Sequence, residues 1–252
     1  MNVCAELDDG TIIEEKNKIA ITAMEKVSKI NRVYISPSNS RPADGVLEAI
    51  KEADAIIIGP GNLFTEVIPN LLIKNISKTI KESKAIKIYI GNIMTKPGET
   101  DDFTLSDHIN AIYDHAKNKI IDYCIYDTGE VIPEFVRRYN KDGADLVEQD
   151  IQKVKELGMK PIPKDFACIE NDAVRHDPES VADSIIEIIC EDLKFKDMQN
   201  NPQYVRMNKK LKESNAKKKE KMRLKSKIKK VENRTKRKAR RMEDRRKSKF
   251  SF

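Results

Sequence analysis

The chain has 252 residues, 35% of them charged and 6% aromatic, with no Trp and a formal charge of +7. That length holds one or two domains. No apolar run approaches the ~18 residues of a membrane span, and four widely spaced cysteines supply no C-x-x-C or paired Cys/His motif. Asp8, Asp9, Glu14 and Glu15 interrupt the first 20 residues, so the opening does not read as a secretory leader, and a reduced, cytoplasmic protein is expected. The charge is sharply divided. Residues 208–252 hold 22 Lys or Arg against 5 Asp or Glu, which puts +17 there and −10 on residues 1–207.

In chain order, residues 5–7 and 11–13 flank Asp8-Asp9-Gly10 and predict a short hairpin. A strand at 33–35 runs into a Pro-, Ser- and Asn-rich loop at 36–42. Residues 43–52 place apolar side chains at 43, 46, 47 and 50, the spacing of one helix face. A strand at 54–58 stops at Gly59-Pro60-Gly61-Asn62, and a helix is predicted over 67–82 with Pro69 in its first turn. The apolar run 85–90 predicts a further strand, ending at Gly91-Asn92. After a carboxylate-rich loop, a helix over 104–118 opens on Thr104 and Asp107, a capping box with Asp in place of Glu. Then come a buried strand at 120–126, a short helix at 133–139, a helix at 151–157 stopped by Gly158, and an amphipathic helix at 182–193. Strands alternating with helices predict an α/β fold over residues 1–200: three layers, α/β/α, around a mainly parallel, Rossmann-like sheet. Composition changes near Asn200-Asn201-Pro202, the expected boundary to a second segment, 201–252.

The ligand crevice of a parallel sheet lies at the carboxyl ends of its strands. The loops after 58 and 90 should therefore open onto one site. Glycines let backbone approach a ligand, and amides at the start of the next helix can face an anion; the alternative is an ordinary strand-to-helix turn. The segment is neither G-x-G-x-x-G nor a P-loop. Glu99, Asp101, Asp102, Asp107 and His108 could share Mg²⁺ with a substrate phosphate, or decorate a helix N-terminus as acids commonly do. No nucleophile–base–acid arrangement stands out. His108, His115 and His176 form no paired ligand set. The sequence assigns no catalytic residue and no metal ligand, and it does not demand an enzyme.

Two blocks carry a specific resemblance: Gly59-Pro60-Gly61 with Leu63, Thr65 and residues 69–72, then residues 92–95, 97–101 and 106–108. Their order and spacing resemble the gluconeogenesis-factor (YvcK) branch of the CofD-like family, whose pattern reads GPGSLYTS…PNLL and NIMTQPGETD…SDH. The chain departs from it at Asn62, Phe64, Glu66 and Lys96, which stand for Ser, Tyr, Ser and Gln. The resemblance covers roughly residues 5–190. It implies a non-catalytic regulator that binds UDP-N-acetylglucosamine and links gluconeogenic growth to cell-wall synthesis and cell shape. Gly59, Gly61, Asn62 and Asn92 are the expected ligand-side loop residues. In the segments 136–139 and 174–176, Tyr139 and Arg175 match the family's UDP-sugar contacts: an aromatic face for the base or sugar and a guanidinium fork for the diphosphate. The cofactor branch of the same family implies the alternative, a Mg²⁺-dependent phospholactate or phosphoenolpyruvate transferase using Asp101 or Asp102; otherwise no cofactor is expected. Members begin with a Gly-rich strand and loop absent here, so the chain resembles the carboxyl portion of such a domain, and an inactive fragment is a third reading. A homo-oligomer is also compatible.

Residues 208–249 contain no Pro, Gly or aromatic and no sustained heptad. A basic helical or disordered tail is expected, with weak, sequence-independent contact to RNA or anionic membrane through phosphates.

Overall fold

A computed structural model describes residues 1–191, 202, 205–217 and 220. Its first element, β1 (Asn2–Leu7), turns back through Asp8-Asp9-Gly10 into β2 (Ile12–Ile13), as the D-G signal predicts. The other edge of β1 takes β3 (Ile30–Ser36), also antiparallel, so β2-β1-β3 is a sheet of its own. Between β2 and β3 lies α1 (Ile19–Lys26), a helix that sequence periodicity did not mark. No side chain caps its start, and it ends with Val27 in the left-handed region at φ +50.

The parallel sheet follows in the order β4-β5-β6-β7. These strands are Ala55–Ile58, Ile86–Ile90, Tyr123–Asp127 and Lys160–Lys164. All five residues of β5 are buried, with Ile86, Ile88 and Ile90 on one face and Lys87 and Tyr89 on the other. A strand buried on both faces needs a layer on each side, and at ~1.5–3 kcal/mol for each large apolar side chain such a strand is the centre of the fold. Lys87 is accommodated because its ammonium donates to the Ser83 carbonyl at 2.9 Å.

Helices flank this sheet: α2 (Val46–Glu52), α3 (Ile68–Leu72), α4 (Ile76–Glu82), α5 (Leu105–Ala116), α6 (Pro133–Lys141) and α7 (Ile151–Glu156); α8 (Pro178–Glu191) follows in the chain. The helix expected over 67–82 is broken into a π-helical turn at Leu63–Val67, then α3 and α4, with Asn75 at φ +67 between the last two. The capping box of α5 is present, with Thr104 and Asp107 bonding reciprocally. Before α8, β8 (Ala167–Glu170) and β9 (Ala173–His176) form a hairpin, also unforeseen.

The chain divides into two compact units, Met1–Ile185 and Ile186–Phe252. The second contains the end of α8 and the helical residues 205–217. The expected boundary at 200–202 falls mostly, and the basic stretch beyond 220 entirely, outside the described residues. Among the described residues no helix is long and apolar enough to cross a membrane.

Candidate functional site

β4 and β5 both end at the same side of the sheet, and each delivers one of the two motif loops there. Gly59 adopts φ +77, and a Cβ on it would lie 3.2 Å from the Ile90 carbonyl and 3.5 Å from the Tyr89 ring. Its service is therefore the close approach of β4's end to β5. The helical turn that follows gives its amides to carboxylates of the chain itself. Asn62 N–H donates to Glu66 Oε2 at 3.0 Å, and the amides of Phe64 and Thr65 lie close enough to Glu99 to favour its charged form. The Thr65 hydroxyl also donates to Glu99, at 3.0 Å. Burial pushes the Glu99 carboxyl up from its ordinary range, and these donors pull it part of the way back. The Asn62 amide, expected to face an anion, thus has an internal partner.

The second loop is tied to the first by the Asn92 side-chain amide, which donates to the Gly61 carbonyl at 3.1 Å. Thr95 is held by a reciprocal pair with Asp145, at 2.7 and 2.9 Å. Gly98, at φ +76, passes so close to α1 that a Cβ would sit 2.1 Å from the Ala20 carbonyl oxygen. Only glycine fits there.

Apart from Asp102, the acidic cluster of this loop is spent on local structure. Glu99 caps the first loop, Asp101 accepts from Gly98 N–H at 2.8 Å, and Asp107 caps α5. Asp150, from the start of α7, takes the Ser106 amide and both the Thr104 and Ser106 hydroxyls. His108 is fully buried edge-on to Phe103, and His115 accepts the Val33 amide on Nε2 at 3.1 Å. Burial pushes both imidazoles below their ordinary pKa. Among the described residues no three His, Cys, Asp or Glu side chains are grouped to hold a metal ion.

A third wall comes from the β8–β9 hairpin, which turns on Asn171 and Asp172 at φ +48 and +59. Adjacent Asn and Asp are well suited to such a turn, and this is the signal that could have revealed it. Asp127, at the end of β6, anchors the hairpin's base by accepting from the amides of Phe166 and Ala167 at 2.9 and 2.8 Å. A third amide, Gly129, reaches its other oxygen at 3.0 Å. From α6 the Tyr139 hydroxyl accepts the Val174 amide at 3.1 Å. Because that bond uses a lone pair, the phenolic proton is left to point elsewhere. His176 donates Nε2–H to the Gly91 carbonyl at 3.1 Å and stacks on Phe166, and burial lowers its pKa.

These three walls enclose a cleft of about 470 Å³, within the range of small-ligand sites. Gly61, Asn62, Asn92, Tyr139 and Arg175 all line it, although 36 residues separate Tyr139 from Arg175 in the chain. Gly59 does not line it. Lys96, Thr95 and His176 also line the cleft without having been singled out as ligand residues. The side chains of Asn92 and Tyr139 are half-buried, whereas Arg175 and Lys96 are exposed at the rim.

Residues 1–167 match the family described as 2-phospho-L-lactate transferase CofD. A gluconeogenesis factor from Halalkalibacterium halodurans is 42% identical over 183 residues, which are 72% of this chain and 55% of that protein. The gluconeogenesis factor of Bacillus subtilis is 34% identical over 187 residues, 74% of this chain and 58% of that one. The chain spans about half the length of the curated relatives it matches. A crystal structure of a UPF0052 family member from Bacillus halodurans superposes with a TM-score of 0.69 at 39% identity, covering 73% of this chain and 58% of that chain.

Proposed function

The chain belongs to the CofD family, alongside its gluconeogenesis factors, and from that premise we propose that its cleft binds a nucleotide sugar, UDP-N-acetylglucosamine, as a regulatory ligand. The observation that carries this reading is the convergence of Asn62, Asn92, Tyr139 and Arg175 on one cleft from four separate elements. Each offers chemistry that a uridine diphosphate sugar uses: amides for base or sugar hydroxyls, a phenol ring to stack, and a guanidinium for the diphosphate. The protein's role in that reading is to report the supply of a wall precursor to carbon metabolism and cell shape, with no reaction of its own.

Calorimetric titration of the chain with UDP-N-acetylglucosamine tests it. Saturable binding is expected, weakened about tenfold or more by Tyr139→Ala and by Arg175→Ala. A titration without saturable heat, or one that neither substitution alters, sinks the reading.

The family description itself favours a second reading, a phosphate-linked group transfer that needs Mg²⁺. Glu99, Asp101 and Asp107 hold local structure, which leaves Asp102, exposed at φ +60, as the acid without such a task among those considered. Turnover of a nucleotide-activated substrate with Mg²⁺, lost in Asp102→Ala, would promote that reading over the first. For residues 208–249 we propose salt-sensitive contact with polyanions, RNA or anionic membrane. Retention on heparin that survives their deletion would exclude it.

A further inference from the structure

The cleft's charge has a source that the loop motif does not supply. The Asn62 amide, which would otherwise face an anion, is occupied by Glu66, and the Thr65 hydroxyl by Glu99. A carboxylate already seated at a loop's amides repels a second anion as well as displacing it. The anion-attracting duty passes to side chains. Among the described residues, Lys96 and Arg175 are the cations that line the cleft, and no Asp or Glu lines it. Burial lowers the His176 pKa, and its Nε2–H points at the Gly91 carbonyl. Lys96 also stands where the related pattern has Gln, so this chain carries one more positive charge at the rim than that pattern provides.

We propose that Lys96 is a specificity-determining residue of this cleft: its ammonium, on a different loop from the hairpin that carries Arg175, pairs with the ligand's diphosphate and selects diphosphate-bearing ligands over monophosphates. This rests on the nucleotide-sugar reading and deepens it. The backbone supports the role. Lys96 N–H is fixed by the Thr100 hydroxyl at 2.8 Å, and the Lys96 carbonyl accepts from the amides of Glu99 and Thr100 at 2.9 Å each. The main chain at Lys96 is therefore held while its side chain stays exposed and long enough to follow a phosphate. Lys96 and Arg175 place two cations along a concave site, where screening is weaker than on an open surface, and the Glu99 carboxylate near Lys96 offsets part of that potential.

The test compares wild type, Lys96→Gln and Lys96→Arg by calorimetry at two salt concentrations, with UDP-N-acetylglucosamine, UMP and inorganic pyrophosphate as probes. Lys96→Gln is expected to bind the sugar nucleotide roughly fivefold more weakly, to narrow its preference over UMP, and to flatten the salt dependence. Lys96→Arg should restore all three, which loss of a merely structural contact would not do. Unchanged affinity and salt dependence in Lys96→Gln, with wild type binding, overturns this inference alone. Should wild type bind pyrophosphate in a Lys96-dependent way but not the sugar nucleotide, the inference stands as an anion site and the proposed ligand falls. Binding of none of the probes overturns both.

Discussion

β7 forms one edge of the parallel sheet with Lys160-Pro161-Ile162-Pro163-Lys164, while β4 forms the opposite edge with Ala55-Ile56-Ile57-Ile58. On β7 the Lys160 amide and the Lys164 carbonyl bond inward to Asp122 and Thr128, the residues on either side of β6, so the intervening prolines occupy the outward amide positions. A proline has no N–H to offer another strand, and flanking lysines add charge. β4 has neither device, and Ile57 is 40% exposed. Behind β7 the Asp127 carboxylate fastens the chain that leaves the edge. One edge is closed against further pairing and the other remains chemically open to it.

Unfastening the closed edge should have the largest effect. Asp127→Ala strands three buried or half-buried amides, and a loss of about 3 kcal/mol is expected in denaturant unfolding. Asp127→Asn, which keeps one acceptor oxygen, should recover a substantial part. Equal stability of Asp127→Ala and wild type would mean that the hairpin is not held from β6.

Acid should strain both sides at once. His108, His115 and His176 have folded pKa values below the ordinary imidazole value, so the unfolded chain takes up protons first. Their contribution is complete above about pH 6.5 and is lost as pH falls from there towards the folded values. Glu99 has the opposite sign: its raised pKa favours the folded state as it protonates, which offsets part of the loss at lower pH. The melting temperature is expected to fall by several degrees between pH 7.5 and 5.5. His115→Gln, whose amide cannot be protonated in this range, should flatten that slope; an unchanged slope would remove His115 from the account.

At the open edge the expected change is in association. Ile57→Lys should leave unfolding free energy within about 0.5 kcal/mol of wild type while reducing concentration-dependent scattering severalfold. If scattering is unaffected, β4 is not the sticky edge. The smallest effect lies away from both edges, at Val27, which is 92% exposed with φ +50. A β-branched residue is poorly suited to that conformation, so Val27→Gly should gain about 0.5–1 kcal/mol. A loss on thermal melting would contradict the strain.

The parts of this fold that were legible in the chain are those whose local chemistry and burial agree. The apolar runs that became β4, β5 and β6 ended at Gly or Asn loops, and the Thr104 cap announced α5. β7 was hidden because its prolines argue against a strand unless it lies at an edge. α1 has no cap, and the β8–β9 hairpin has only four residues per strand. In the site, Asn62 and Asn92 were readable from the loops. Tyr139 and Arg175 emerged only through family resemblance, because nothing local distinguishes a tyrosine on a short helix from any other. Lys96 was visible only as a departure from a pattern. The tie from the first loop could not be read at all, since the partner of the Thr65 hydroxyl lies 34 residues away at Glu99.

That buried Thr65–Glu99 contact has a thermodynamic corollary. With the Asn92–Gly61 bond, it ties the two motif loops together through the chain's own contacts. A guest entering the cleft would not have to order them, so the entropic cost of recognition falls mainly on the guest and on the long side chains at the rim. Calorimetry should then register a modest entropy penalty and loop amides whose exchange protection is already high before the guest arrives.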